Sequence, residues 1–329
     1  LGARRHDARR ARGARGAMSR PRGTRPGLLW AALPIAALLL ALGLRLYRID
    51  AQSLWNDEGT SVAVASRDLA TITRDAAGDI HPPLYYWLLA GWQRLAGTSE
   101  LAVRSLSALL GVALVALIFS LGRLLGPPGA SWTAPAAAAL AAINPFLVVY
   151  AQEARMYTLL ALWAALAFYA ALRWLAPRPG ERSRAWGLVY LLAAAAGLYT
   201  HYAFPLVLAA ANLAVLLALL LRPDRREAWG RLGAWLVLQA GALLLFVPWL
   251  PVALRQLGTW PGVEEPVELL AALTRITQIL VTGPAAAPWR EVSWILLLAL
   301  LVYFPRRGGR LDARVAGGAL ILWLVVPAV

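Results

Sequence analysis

Apolar runs of about the length that crosses a bilayer recur along this chain, and they limit the folds that it can adopt. A transmembrane helix needs about 20 consecutive, mostly apolar residues. Hydrophobic residues make up 60% of the chain, which is typical of a polytopic membrane protein. The runs lie at residues 28–46, 101–121, 132–150, 158–175, 187–199, 203–221, 232–250, 292–304 and 315–329. We therefore predict an all-α integral membrane protein with about nine transmembrane helices.

The net charge of +15 is explained by membrane topology better than by a nucleic-acid partner. All 32 basic residues are arginine, and they cluster at alternate ends of the apolar runs. No aromatic-rich basic domain accompanies them, so nucleic-acid binding is not expected. Cytoplasmic loops of membrane proteins carry an excess of positive charge. This bias predicts a multi-pass protein with a cytoplasmic N-terminus.

The predicted organisation is a basic cytoplasmic tail at 1–27 followed by a polytopic domain at 28–329. Within that domain, residues 47–100 form the first extracytoplasmic loop. Residues 1–17 precede a methionine that resembles a natural start, so we interpret them as a candidate mis-extension. The final residues stop inside an apolar run, and we interpret the chain as a fragment whose C-terminal remainder is missing.

The first predicted outer loop contains two adjacent acids, Asp57 and Glu58. A carboxylate just beyond a membrane helix can act as a base on a lipid-borne substrate. The alternative is a structural role, because acids favour the first turn of a helix, and we expect a helix to begin near Thr60.

The same topology places four further polar residues on the outer side, namely His81, Glu153, Arg155 and His201. The chain has no cysteine, which excludes disulfides, Cys-ligated zinc and thiol catalysis. The inner loops contain no glycine-rich phosphate loop, so no nucleotide site is expected. The outer side is therefore the predicted functional side.

An aromatic-rich segment begins at His81 and continues to Arg94. Two prolines follow the histidine, and proline favours the first turn of a helix. The segment has too few apolar residues to span a bilayer, so we predict a helix that lies at the membrane interface. The aromatic residues expected at headgroup depth are Tyr85, Tyr86, Trp87 and Trp92.

Four motifs, in this order, carry a resemblance to a known family. They are the acidic pair at 57–58, the His81-Pro-Pro segment, the Ala102-Val-Arg-Ser-Leu-Ser-Ala-Leu-Leu-Gly111 entry into the next helix, and Gln152-Glu-Ala-Arg-Met-Tyr157. Over residues 28–250 the chain resembles the C-type (GT-C) membrane glycosyltransferases. Within these it is similar to family 39, which contains protein O-mannosyltransferases and bacterial aminoarabinose transferases.

The resemblance implies a GT-C-like fold and an enzyme of the cell envelope, in a bacterial inner or plasma membrane. Such an enzyme takes a sugar from a polyprenyl-phosphate carrier. The sugar, a hexose or a pentose, would pass to an extracytoplasmic acceptor. The sequence leaves that acceptor open among a lipid such as lipid A, a cell-wall glycan, a glycolipid and a protein.

For this chemistry we expect Asp57 to be the general base, because the acceptor hydroxyl must lose its proton as it attacks the anomeric carbon. Direct displacement would invert that carbon. Glu58 could position the base, bind an ion or cap the helix.

The leaving group would be a lipid phosphate, so the site needs positive charge where negative charge develops. His81 stands where related sequences carry Lys or His, and Arg155 has a fork-shaped donor suited to phosphate. We expect both to bind the donor phosphate. The alternatives are an incidental histidine at a helix start and an ordinary arginine at a helix end. Residues expected to support the site are Glu153, Gln152, Tyr157 and His201.

The sequence predicts no definite cofactor. A divalent metal held by Glu58, His81 and His201 is a candidate, because imidazole and carboxylate groups bind such ions. No ligand spacing typical of a metal motif supports it, and His201 could equally be an interfacial histidine flanked by aromatic residues.

Two other functions stay open. A lipid-linked sugar flippase or transporter would share this hydrophobicity, but transporters usually bury ionisable residues near the midplane and often repeat in two halves. The apolar runs here are almost free of charge and no repeat is visible, which favours interfacial chemistry. An inactive family member that contributes only to an assembly is the other alternative.

Overall fold

The computed structural model describes residues 28–126, 131–258 and 268–282, and this part of the chain is helical without a strand. The helices, numbered in chain order, are α1 (Leu28–Leu46), α2 (Asn56–Ala65), α3 (Leu69–Gly78), α4 (Leu84–Ala96), α5 (Glu100–Leu125), α6 (Thr133–Ile143), α7 (Pro145–Ala151), α8 (Tyr157–Leu175), α9 (Ser183–Leu198), α10 (Phe204–Leu220), α11 (Arg225–Phe246), α12 (Leu250–Gly258) and α13 (Leu269–Thr282). The predicted tail at 1–27 and the predicted spans at 292–304 and 315–329 lie outside the described residues.

The apolar runs within the described part form helices at the expected places, and the chain is a multi-pass membrane protein. By length and composition, α5, α8 and α11 can each cross a membrane, and α6 with α7 makes a fourth span if the bent pair counts as one. Helices α9 and α10, and α1 from Ala32 onward, are apolar but shorter. The predicted total of nine spans is not confirmed.

The predicted span at 132–150 is broken in the middle, where α6 and α7 meet at an angle of 56°. Asn144 lies at the break, and its side chain accepts a hydrogen bond from Leu147 N at 3.0 Å. Pro145 follows and has no N–H with which to continue the ladder of α6. A side-chain cap and a proline therefore end one helix and start the next.

Arg45, near the end of α1, satisfies the carbonyl groups that this break exposes. Its guanidinium is fully buried and donates to Ala142 O at 3.1 Å and to Ala141 O at 3.3 Å. Gly111 of α5 leaves room for it, because a Cβ there would lie 2.7 Å from Arg45 Nε. The apolar helices thus contain a buried charge that serves their packing.

The first predicted outer loop is filled by the short helices α2, α3 and α4. Asp68 caps α3 by accepting from Ala70 N and Thr71 N at 3.0 and 3.1 Å, and α4 packs against α2 and α5. Tyr85 and Tyr86 lie fully buried in this packing. Both rings therefore contact protein on this face of α4, and their depth in a membrane stays a prediction.

The two ends of the bundle carry different sets of polar residues. At one end Arg222 and Arg231 cap α8, donating to Leu175 O at 2.9 Å and to Trp174 O at 3.2 Å. At the other end, the loop helices meet the α7–α8 and α9–α10 turns, where Leu84 N donates to Tyr199 O at 3.0 Å. The acids and histidines singled out in the sequence lie at this second end.

Candidate active site

Helix α2 carries Asp57 and Glu58 in its first turn, and it presents them to different surroundings. The helix begins at Asn56, four residues before the expected start near Thr60. Glu58 is fully buried, whereas the Asp57 side chain is 40% exposed. Consecutive helical residues project about 100° apart, so adjacent acids need not share a partner.

Glu58 is held by a buried salt bridge to Arg104, in the second turn of α5. The Arg104 guanidinium donates from Nε to Glu58 Oε1 at 2.8 Å and from Nη2 to Oε2 at 2.6 Å. Ala154 N donates to Oε1 at 2.8 Å, and Trp55 N donates to Oε2 at 3.3 Å. Both carboxylate oxygens therefore have partners, and Glu58 joins three parts of the chain.

The protonation state of Glu58 follows from these contacts. Burial alone would raise its pKa, but the hydrogen bonds from Arg104 and from Ala154 N outweigh burial and lower the pKa below its ordinary value. A carboxylate that stays ionised and fully bonded is a poor proton acceptor. Of the roles expected for Glu58, the contacts fit the positioning and helix-capping ones.

Asp57 faces Arg155, which lies in the α7–α8 turn. Asp57 Oδ2 lies 3.5 Å from Arg155 Nη2, and Arg155 Nη1 donates to Asp57 O at 3.3 Å. Arg155 Nη1 also donates to Ser61 Oγ at 3.2 Å, one turn further along α2. Arg155 is buried, and its Nε has no hydrogen-bond partner. A buried cation with an unused donor thus lies beside a half-exposed carboxylate.

His81 lies before α4, buried, with its Nδ1 at 3.5 Å from Asp79 Oδ2. Tyr86 Oη donates to the same Asp79 oxygen at 3.3 Å. The hydrogen bond from His81 holds the pKa of Asp79 below its ordinary value. Asp79 therefore keeps a negative charge beside the His81 ring.

His201, in the α9–α10 turn, packs against His81 with ring centroids 5.6 Å apart. Ala203 N donates to His201 Nδ1 at 3.0 Å, which leaves Nε2 as the nitrogen that carries hydrogen. Burial, with smaller effects from the nearby charges of His81 and Arg155, lowers the pKa of His201 from 6.5 to about 4. The ring is therefore neutral near pH 7.

Tyr157 connects the histidines to the arginine. Its ring centroid is 6.2 Å from that of His201, and the Arg155 guanidinium lies 5.7 Å from the Tyr157 ring centroid. A guanidinium this close to an aromatic ring gains a cation–π contact. The side chains that form this continuous wall are Asp57, Arg155, Tyr157, His201 and His81.

Glu153 and Gln152, both expected to support the site, differ in what they contact. Glu153 Oε2 is buried without a hydrogen-bond partner, and burial followed by the charge of Glu58 raises the pKa of Glu153. Gln152 points away, and its Nε2 donates to Leu44 O, Arg45 O and Tyr47 O at 3.2, 3.3 and 3.0 Å. Gln152 thus caps α1, while Glu153 stays close to the acids.

The candidate metal set of Glu58, His81 and His201 is not assembled. Glu58 is engaged by Arg104, whereas the two histidines lie together on the far side of Tyr157. Across the described ranges, no group of three or more His, Cys, Asp or Glu side chains is arranged to hold a metal ion. These contacts do not favour the candidate metal set, which stays a prediction.

Arg104 belongs to the site, although the sequence alone gives it no role beyond its place in the motif at 102–111. Besides Glu58, it donates to Ile49 O at 2.8 Å and to Gln52 O at 2.7 Å. One signal could have identified it, because an arginine at the outer end of an apolar helix opposes the topological charge bias.

The arrangement combines a half-exposed carboxylate with a buried arginine on one wall. Asp57 can accept a proton, and Arg155 and His81 can stabilise an anion. The buried pair of Glu58 and Arg104 holds α2 against the residues that precede Arg155. These are the groups needed for displacement of a phosphate by a hydroxyl.

The sequence matches the model of a glycosyltransferase family. The family model for dolichyl-phosphate-mannose-protein mannosyltransferases matches residues 80–251, which is more than half of the 329 residues. His81, Arg104, Arg155 and His201 fall inside the matched segment, and Asp57 and Glu58 precede it. No curated protein shows a significant match to the sequence.

Solved structures share the fold at low identity. The S. cerevisiae protein O-mannosyltransferase Pmt1-Pmt2 complex, bound to the sugar donor, gives a TM-score of 0.56 at 17% identity over 80% of this chain and 38% of that chain. ArnT from Cupriavidus metallidurans, bound to undecaprenyl phosphate, gives 0.55 at 20% identity over 92% of this chain and 59% of its own. ArnT in the apo state gives 0.52 at 18% identity, with 90% and 59% covered. The chain thus spans well under two thirds of these relatives.

Proposed function

Because the chain belongs to the dolichyl-phosphate-mannose-protein mannosyltransferase family, we propose that it is a membrane glycosyltransferase that moves a sugar from a polyprenyl-phosphate donor to an extracytoplasmic acceptor. The relatives bound to a sugar donor and to undecaprenyl phosphate support this donor class. The acceptor is a lipid, a glycan or a protein.

The pairing of Asp57 with Arg155 is the observation that carries the proposal. A carboxylate that is 40% exposed lies 3.5 Å from a buried guanidinium. The carboxylate is open to an incoming hydroxyl, while the guanidinium is fixed by Ser61 and by the Asp57 carbonyl. Base and phosphate-binding groups on one wall are what direct displacement at a sugar phosphate requires.

In the proposed reaction, the acceptor hydroxyl gives its proton to an Asp57 oxygen while its own oxygen bonds to the anomeric carbon. The bond from that carbon to the phosphate oxygen breaks, and its electron pair leaves with the polyprenyl phosphate. Arg155 and His81 stabilise the phosphate charge as it develops. Attack opposite the leaving group inverts the anomeric carbon.

Other residues of the site would act by holding this geometry. Glu58, through Arg104 and Ala154 N, fixes α2 relative to the segment that carries Arg155. Tyr157 and His201 complete the wall between Arg155 and His81. Glu153 adds a third carboxyl group, buried close to the two acids of α2.

Transfer from a defined donor tests the proposal. The full-length protein in liposomes should convert a polyprenyl-phosphate hexose or pentose into free polyprenyl phosphate and a glycosylated acceptor, followed by mass spectrometry. Movement of the intact lipid-linked sugar across the bilayer without cleavage would instead support the transporter alternative.

We also propose that this end of the bundle faces the extracytoplasmic side of a bacterial inner membrane. The chain has no cysteine, so single cysteines can report orientation. Thr60 of α2 and Arg226 at the opposite end are both exposed. A cysteine at position 60 should react with an impermeant reagent from outside, and one at position 226 only after the membrane is opened. The reverse pattern would contradict the orientation.

A further inference from the structure

We propose that Gln256 of α12 is a positioning residue that joins the two histidine-bearing segments of the site, so that His81 and His201 meet the donor phosphate as a unit. The inference rests on the proposed function, because it assigns Gln256 a role in binding that donor.

Helix α12 contacts the C-terminal end of α3 with one face, and its opposite face is exposed. Ala253 and Gln256 are buried, whereas Leu254 and Leu257 are more than half exposed. A glutamine that is 3% exposed needs partners for its amide, because a buried amide without hydrogen bonds is costly.

The amide nitrogen of Gln256 caps the C-terminus of α3. It donates to Ala76 O at 2.7 Å and also to Asp79 O. Arg255 Nη2 adds a hydrogen bond to Ala77 O at 2.9 Å. The last carbonyls of a helix have no partner within it, so α12 fixes the point at which the chain leaves α3. That point is two residues before His81.

The amide oxygen of Gln256 bonds to the other segment. Tyr202 Oη donates to Gln256 Oε1, and Trp249 Nε1 donates to Tyr202 Oη at 2.9 Å. Tyr202 follows His201 directly. A single side chain therefore joins the Asp79–His81 segment to the His201–Tyr202 segment, and the two rings pack 5.6 Å apart between these attachments.

This bridge needs an amide of this length. A carboxylate could still accept from Tyr202 but would repel the carbonyls of Ala76 and Asp79. A thioether is only a weak acceptor and cannot donate to either carbonyl. Loss of the bridge would remove the amide donor from the Ala76 and Asp79 carbonyls and would loosen the His81 segment. The reacting atoms lie on Asp57 and the substrate, so the effect should appear in donor binding more than in turnover.

The variants Gln256→Met and Gln256→Glu test this in the full-length protein. A matched control is Gln239→Met, because Gln239 also makes a part-buried hydrogen bond, to Tyr190 Oη at 2.8 Å, but within the bundle. Both Gln256 variants should raise the donor KM about tenfold with kcat within about threefold of wild type, as expected for lost hydrogen bonds. Gln239→Met should leave the donor KM unchanged.

Two results would overturn the inference: an unchanged donor KM in Gln256→Met, or an equal rise in Gln239→Met. Direct binding of undecaprenyl phosphate separates this inference from the proposed function. If wild type binds the lipid without transferring sugar, the proposed function fails, and Gln256→Met should still bind the lipid more weakly than Gln239→Met. If wild type does not bind the lipid at all, both proposals are wrong.

Discussion

Asp57 and Glu58 are neighbours in sequence, yet each lies against a different arginine in different surroundings. In the buried pair, Arg104 donates two hydrogen bonds to Glu58, at 2.8 and 2.6 Å, and backbone groups bond to the other side of each residue. Asp57 and Arg155, the open pair, approach only to 3.5 Å, and the Asp57 side chain is 40% exposed.

This difference assigns a structural role to Glu58 and leaves Asp57, on the same helix, as the proposed base. A buried ion pair with every group bonded resists protonation and holds three chain segments together. A carboxylate with one loose partner keeps a free face for a hydroxyl proton. Two carboxylates one position apart therefore suit different roles, and each ion pair can be broken by its own substitution.

The largest expected effect comes from Asp57→Asn in the open pair. The amide cannot accept the hydroxyl proton, so transfer should fall by about 10²-fold or more while folding is retained. The measurement is sugar release from a polyprenyl-phosphate donor. Asp75→Asn on α3 is a suitable control, because Asp75 pairs with Arg67 at the surface, and it should keep full activity. A fully active Asp57→Asn would remove Asp57 as the base.

Breaking the buried pair should reduce stability. Glu58→Gln or Arg104→Met leaves a buried charge without its partner, which costs about 3–5 kcal/mol of unfolding free energy. The readout is thermal unfolding in detergent, with Arg67→Met as the exposed-pair control. The double variant should lose less than the sum of the two single ones. Additive losses would mean that the two residues do not act as a pair.

Arg155→Met should weaken donor binding, because the fork-shaped cation proposed for the phosphate is lost. We expect the donor KM to rise by roughly tenfold to a hundredfold and the acceptor KM to change much less. Steady-state kinetics with each substrate varied would show this. An equal rise in both KM values would indicate general disruption of the wall.

The smallest expected effect concerns pH. The pKa of His201 is lowered to about 4, so between about pH 6.5 and pH 4 the unfolded chain binds a proton that the folded chain does not. The free energy of unfolding should therefore fall as the pH falls through this window. His201→Gln should reduce the drop in Tm between about pH 7.5 and pH 5 by a few degrees. An identical drop would contradict the lowered pKa.

Much of the architecture could be predicted from local pattern, because a bilayer imposes length and apolarity on each spanning helix. The runs that became α5, α8 and α11 are of this kind. The bend at Asn144 also has a local cause, in an N-cap residue followed by proline. The stabilisation of this bend by Arg45 has no local cause, because Arg45 and Ala142 are 97 residues apart in the chain.

The site divides in the same way. Its candidate acids, histidines and arginine could be selected from sequence because the apolar runs are almost free of charge and the charge bias assigns these residues to one end. The contacts that hold the site together could not be selected, because Glu58–Arg104 and Gln256–Ala76 join residues that are 46 and 180 positions apart. The burial of Tyr85 and Tyr86 was likewise decided by how α4 packs against α2 and α5.

The sequence by itself therefore determined the helical membrane class, the residues of the candidate site and the family resemblance, because these depend on composition, local periodicity and short motifs. Only the tertiary structure decided that Glu58 is locked to Arg104 while Asp57 stays open. The physical reason is that two adjacent helical residues project in different directions, and what each one meets depends on segments that lie far away in the chain.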